Sequence, residues 1–99
     1  MRKNDLTDRE RELFYITQEE CAEVTQIISK ILRFGFNEEF NNRGKLTEEV
    51  GDLLACITLL YAAGIIDKNE TELAIENKLL KLKKWSRLYG EKEKENGNV

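Results

Sequence analysis

Apolar residues recur at three- and four-residue steps through Leu13, Ile16, Val24, Ile27, Ile28 and Ile31, so the chain from about 8 to 33 presents one continuous helical stripe. Thr7-Asp8-Arg9-Glu10 reads as a capping box that opens this segment. Thr17-Gln18-Glu19-Glu20 repeats the signature, which predicts a short lead-in helix merging into a longer one. Gly35 and the stretch from Asn37 to Gly44 break the periodicity and predict a loop. A second helix is expected to resume near Arg43 or Lys45. Leu46, Val50, Leu53, Leu54, Ile57 and Tyr61 form its main stripe, and Cys56, Leu59, Leu60 and Ala63 make the other side apolar as well. Such a helix is expected to be central and covered all round. Gly64 and Asp67-Lys68-Asn69 end it, and Asn69 or Thr71 is the expected cap of a third helix carrying Leu73, Leu79, Leu80, Leu82, Trp85 and Leu88. Beyond Gly90 no apolar residue precedes the final valine, so residues 90–99 are expected to be a polar tail and residues 5–89 the domain.

This pattern predicts an all-α fold, a bundle of three to four helices. Three helices leave one side of the apolar second helix thinly covered, so completion by a homodimer or homotetramer is expected. Composition agrees, since the chain has no proline and 35% of it is charged, which favours helices over turn-rich sheets. The net charge of -3 comes from interspersed acids and bases, so nothing here suits nonspecific nucleic-acid binding. The longest uncharged run, Leu53 to Ile66, is shorter than the roughly 18 apolar residues of a membrane span. Cys21 and Cys56 fall in apolar patterns without a Cys-x-x-Cys spacing and are expected to be reduced core thiols, which suits a cytoplasmic protein. The chain contains no histidine, which removes Ser-His and Cys-His nucleophiles and His-ligated zinc. Any chemistry must use carboxylates, amines, hydroxyls or a metal.

Two acidic clusters then stand out, Glu19-Glu20-Glu23 and Glu48-Glu49-Asp52. Most glutamates on a helix are solvated, so position decides. At about 100° per residue, Glu20 lies within roughly 20° of the middle of the first stripe, with Glu23 on its edge and Glu19 turned toward solvent. Glu49 and Asp52 share a side with Cys56, Leu60 and Ala63. Converging, partly buried carboxylates repel one another, and a hard cation such as magnesium or manganese resolves the conflict. The competing arrangement pairs these acids with Lys30, Arg33, Lys78 or Lys81 in a salt-bridge network. Because Glu19 to Glu23 and Glu48 to Asp52 are also feasible i, i+4 pairs, helix geometry alone does not choose among the six acids.

The motifs Glu19-Glu20-Cys21-Ala22-Glu23 and Glu49-Val50-Gly51-Asp52 resemble the Glu-Glu-x-x-Glu and Glu-x-x-Asp signature of the MazG-like all-α nucleoside triphosphate pyrophosphohydrolases. The likeness extends through Ser29-Lys30-Ile31-Leu32-Arg33-Phe34-Gly35 and Gly51-Asp52-Leu53-Leu54-Ala55 to Lys81-Leu82-Lys83-Lys84-Trp85, and is greatest to the compact forms found in bacteriophages. The resemblance implies an enzyme that splits a nucleoside triphosphate between the α and β phosphates. It also implies Glu20, Glu23, Glu49 and Asp52 as magnesium ligands and Glu19 as a residue that positions water, with Glu48 an additional acid. Lys30, Arg33 and Lys78 are the expected substrate-binding cations, and Arg43, Lys45, Lys81 and Arg87 are further basic residues within reach of this reading. Asn42, with Phe36, Tyr61 and Trp85, is available to recognise the base. A phosphoribosyl-ATP pyrophosphohydrolase and a non-enzymatic helical interaction module are the alternatives.

Overall fold

The computed structural model describes residues 4–86. Among them are three helices and no strand: α1 (Asp8–Phe34), α2 (Asn42–Ala62) and α3 (Lys68–Trp85). The expected tail over 90–99, Arg87 and Leu88 lie outside the described residues. Two compact units divide between Ile65 and Ile66, the first containing α1 and α2 and the second α3.

The capping box that opens α1 is complete. Thr7 Oγ1 accepts from the Glu10 backbone N–H at 3.1 Å, and the Glu10 carboxylate accepts from the Thr7 N–H at 2.8 Å, so two otherwise orphaned donors are satisfied reciprocally. The second capping signature does not start a new helix. Thr17 lies inside a single continuous α1, and its hydroxyl donates to the Leu13 carbonyl at 2.7 Å, one turn back, instead of capping. The stripe through this region is unbroken, and burial along it overrides the local cap.

α1 ends at Gly35, whose φ of 72° and ψ of -171° lie in a region that essentially only glycine occupies. The connection that follows is built by asparagines. Asn37 Oδ1 accepts from the backbone of Glu39 and Phe40, and Asn41, in the left-handed region at φ 49°, caps α2 by accepting from Gly44 N–H at 3.2 Å. A Cβ at position 44 would run into the Asn41 amide, which explains the glycine there. Asn42 Nδ2 donates to the Gly35 carbonyl at 3.1 Å, tying the start of α2 to the end of α1. At 4% exposure, Asn42 is the buried polar residue of the described chain, and its amide donor is spent inside this turn. α2 therefore begins at Asn42, earlier than the expected Arg43 or Lys45. It closes in a Schellman pattern, with Ile65 N–H on the Leu60 carbonyl and Gly64 N–H on that of Tyr61.

α1 and α2 pack on each other, and the buried apolar residues are Ile27 from α1 with Cys56 and Leu60 from α2. Two expectations are corrected here. Cys21 is exposed, because it lies away from the Ile27 side of α1, whereas Cys56 is buried. α2 is not covered all round within this unit, since Leu54 is 55% exposed and Val50 and Leu59 are also open. The side of α2 that carries Val50 and Leu54 stands open.

In the second unit, Asp67 rather than Asn69 or Thr71 caps α3, accepting from Glu70 N–H at 2.8 Å. Thr71 instead turns its hydroxyl onto the Asp67 carbonyl. Leu73, Leu79 and Leu80 of the expected apolar stripe are exposed, and so is Trp85 of the same stripe, at 77%.

Candidate metal centre

The acids of the two motifs reach one another because α1 and α2 run antiparallel in a register that sets residues 20–23 beside residues 49–52. Glu20, Glu23, Glu49 and Asp52 each bring a carboxylate oxygen into a group whose members all lie within 4.8 Å of one another. Each helix contributes two acids three residues apart, and that spacing keeps both on one face. Glu20 and Glu49 are half-buried, while Glu23 and Asp52 stand at the exposed edge. The site is thus closed on the helix side and open toward solvent.

Glu20 Oε2 and Glu49 Oε2 are buried and have no hydrogen-bond partner. That excludes a lysine or arginine in contact with either oxygen, as the salt-bridge arrangement would require. Burial first, and then the negative charge of Glu23 and Asp52, raises the Glu20 pKa above its ordinary carboxylate range. Glu49 is pushed up to about 7, chiefly by a side-chain hydrogen bond with Glu23, then by burial and by the charges of Glu23, Asp52 and Glu20. Without a cation, therefore, Glu49 is the member of the group most readily protonated.

The residues fit a divalent cation. Two orphaned oxygens, four converging carboxylates and no nitrogen or sulfur donor form an oxygen-only set of the kind that hard ions such as magnesium and manganese prefer.

Glu49 sets the sign of the pH dependence. A carboxyl whose folded pKa is raised stabilises the fold while protonated, and loses that contribution as pH rises from its unfolded value of 4.5 through about 7. The melting temperature of the protein in chelator is expected to fall between pH 5 and pH 7 by this group's contribution, and magnesium should flatten the decline by replacing the proton. Thermal melts across that range in chelator and in magnesium check this. A melting temperature that rises with pH in chelator would mean the acids are paired with bases.

The other expected site residues are placed less centrally. Glu19 stands outside the four-carboxylate group, exposed, but its charge contributes to raising Glu20. Glu48 is exposed and also outside the group. Lys30 is exposed on α1, two turns beyond Glu23 on the same side of the helix. Arg33 lies in the last turn of α1, its guanidinium 5.6 Å from the Phe34 ring. Lys78 is exposed on α3, in the second unit. Asn42 is engaged with Gly35, as described, and the nearby Phe36 is covered by Arg43 at 4.3 Å. Sequence reasoning missed that stacked pair. Its signal was an aromatic and an arginine flanking an asparagine-built turn.

The family model of the MazG nucleotide pyrophosphohydrolase domain matches residues 9–85. The chain belongs to this family. The matched span begins in the first turn of α1 and ends at the last residue of α3, so it includes all four carboxylates of the MazG domain's acidic group. No curated protein and no solved structure matches the chain. No helix of the described MazG domain is long and apolar enough to cross a membrane.

Proposed function

We propose that this MazG domain hydrolyses (deoxy)nucleoside triphosphates to the nucleoside monophosphate and pyrophosphate, with magnesium, or manganese in its place, held by Glu20, Glu23, Glu49 and Asp52. The observation that carries this reading is the convergence of those four carboxylates with two buried oxygens left without partners. Water adds to the α-phosphorus, the bond from that phosphorus to the bridging oxygen breaks, and pyrophosphate leaves. When bound, the cation offsets the charge of the triphosphate and makes water a stronger acid.

The chain's own groups do the rest. Glu49, pushed up to about 7, takes up a proton near neutral pH, so a carboxylate of this group is suited to accept the proton of the attacking water. Glu19, exposed next to Glu20, takes the part of holding that water. Lys30, on the same side of α1 as Glu23, supplies positive charge to the phosphate chain, with Arg33 as a further cation. The non-enzymatic alternative leaves the orphaned oxygens without a purpose, and their desolvation without compensation.

Incubating the purified chain with magnesium and a panel of nucleoside triphosphates should release pyrophosphate and the monophosphate, and no orthophosphate from the first cleavage. A folded protein that turns over none of them defeats the proposal. The open Val50 and Leu54 on α2 support association with a second copy, as a homodimer or homotetramer. The free thiols of Cys21 and Cys56 fit a reducing, cytoplasmic setting.

A further inference from the structure

A cavity of the first unit lies not at the acids but beside them. A groove of about 500 Å³ lies between the start of α1 and the end of α2, with a floor of Leu13, Ile16, Leu59, Ala62, Ala63 and Ile65. Thr7, Arg9, Glu10 and Glu12 line it as well and supply hydrogen-bond donors and acceptors. A volume of this order, lined by apolar side chains together with a few polar groups, is typical of small-molecule sites.

Helix geometry puts this groove on the face that carries the acids. Ile16 is four residues before Glu20 and Leu13 is seven before it, so both share its side of α1. On α2, Leu59 and Ala63 follow Asp52 and Cys56 by seven residues each and continue the same side. Seven residues of helix span about 10 Å, so the floor begins within that distance of the acids. In the opposite direction from the acids, Lys30 follows Glu23 by the same seven residues.

The two ends of the pair differ in character. Toward Lys30 lies the N-terminus of α2, whose first turn carries no acid and contains Arg43 and Lys45. Its helix dipole and these two cations favour phosphate. Toward the groove the first turn of α1 carries Asp8 and Glu10, and the floor is apolar, which suits a base and a sugar and not a phosphate chain.

We propose that the groove between the start of α1 and the end of α2 seats the base and sugar of the substrate nucleotide, so that the phosphate chain crosses the four acids and its pyrophosphate end points toward Lys30. This rests on the pyrophosphohydrolase reading above and gives it a direction. It also moves base recognition away from Asn42 and Phe36, to the other end of the helix pair.

The test narrows the groove at an exposed position that does not belong to the acidic group. Ala62→Trp should lower the ratio of kcat/KM for nucleoside triphosphates to that for methyl triphosphate, which lacks base and sugar, by about tenfold or more. Leu59→Ala, which removes part of the floor at another open position, should lower the same ratio. An unaltered ratio in both variants overturns the proposal. So does an unaltered ratio accompanied by a fall in molecular mass on light scattering, which would make a second copy the occupant.

Calorimetric binding of an α,β-methylene nucleoside triphosphate reads the groove independently of turnover. Weaker binding by Ala62→Trp supports the assignment, and equal affinity overturns it. Absence of hydrolysis in the unmodified chain would instead defeat the proposed reaction, leaving the binding measurement to decide the groove.

Discussion

Glu23→Gln is expected to lower kcat/KM for pyrophosphate release by more than about 10²-fold, beyond the roughly 10–100-fold typical of a residue that only supports a metal ligand. Glu23 is the most informative of the four acids because it serves both helices. It lies on α1 three residues from Glu20, and its hydrogen bond to Glu49 is the first cause of that residue's raised pKa. The amide keeps the size and helical preference of the side chain while removing the charge, so a loss of activity cannot be assigned to a cavity or a broken helix. Glu20→Gln, Glu49→Gln and Asp52→Asn are expected to behave alike, since each removes one member of the same group.

Glu48→Gln supplies the contrast. Glu48 is exposed and outside the group, so its loss should change kcat/KM only a few-fold. Glu19→Gln should fall between, because its charge reaches Glu20 without joining the cluster. Steady-state kinetics over a magnesium titration measures all six. A Glu23→Gln enzyme within a few-fold of the unmodified one would remove the acidic group from the reaction.

The second large effect is on stability. When free magnesium exceeds its dissociation constant a hundredfold, the melting temperature is expected to rise by about 10–20 °C over the protein in chelator. The physical source is the repulsion stored in the metal-free group, where burial and neighbouring charge raise both Glu20 and Glu49. A cation that binds the folded arrangement has no comparable site in the unfolded chain, where the two motifs separate. The gain should therefore disappear in the Glu20→Gln, Asp52→Asn double variant, which takes one acid from each helix. Differential scanning calorimetry in magnesium and in chelator, for both proteins, is the measurement. A shift equal in the two proteins would locate the metal elsewhere, and no shift in either would favour the helical interaction module.

Much of the fold was legible because it is local. Thr7 and Glu10 close a box within one turn, Gly35 takes a conformation that other residues avoid, and Gly64 completes a Schellman end, all within a few residues of chain. Where two local signals competed, the sequence was ambiguous. Thr17 carries a capping signature yet sits mid-helix, and Asp67, not Asn69 or Thr71, took the cap of α3. Each of these residues can bond the backbone in more than one way, and the surrounding packing selects among them. Cys21 and Trp85 were misjudged for a related reason: membership of an apolar pattern does not say which side of the helix meets a partner.

The candidate site divides along the same line. The sequence by itself determined that α1 and α2 would be helices and that each would carry acids on an apolar side. The helices and their acidic sides follow from residue identity and a period of about 3.6, which act over one or two turns, while the lack of histidine leaves any chemistry to carboxylates, amines, hydroxyls or a metal. Only the tertiary structure decided which four of six acids meet, that two of their oxygens are buried without partners, and that an apolar groove adjoins them. Those outcomes depend on the register of α1 against α2. That register is set by a turn in which Asn42 binds the Gly35 carbonyl and by burial of Ile27, Cys56 and Leu60, contacts between residues far apart in the chain that no local pattern records.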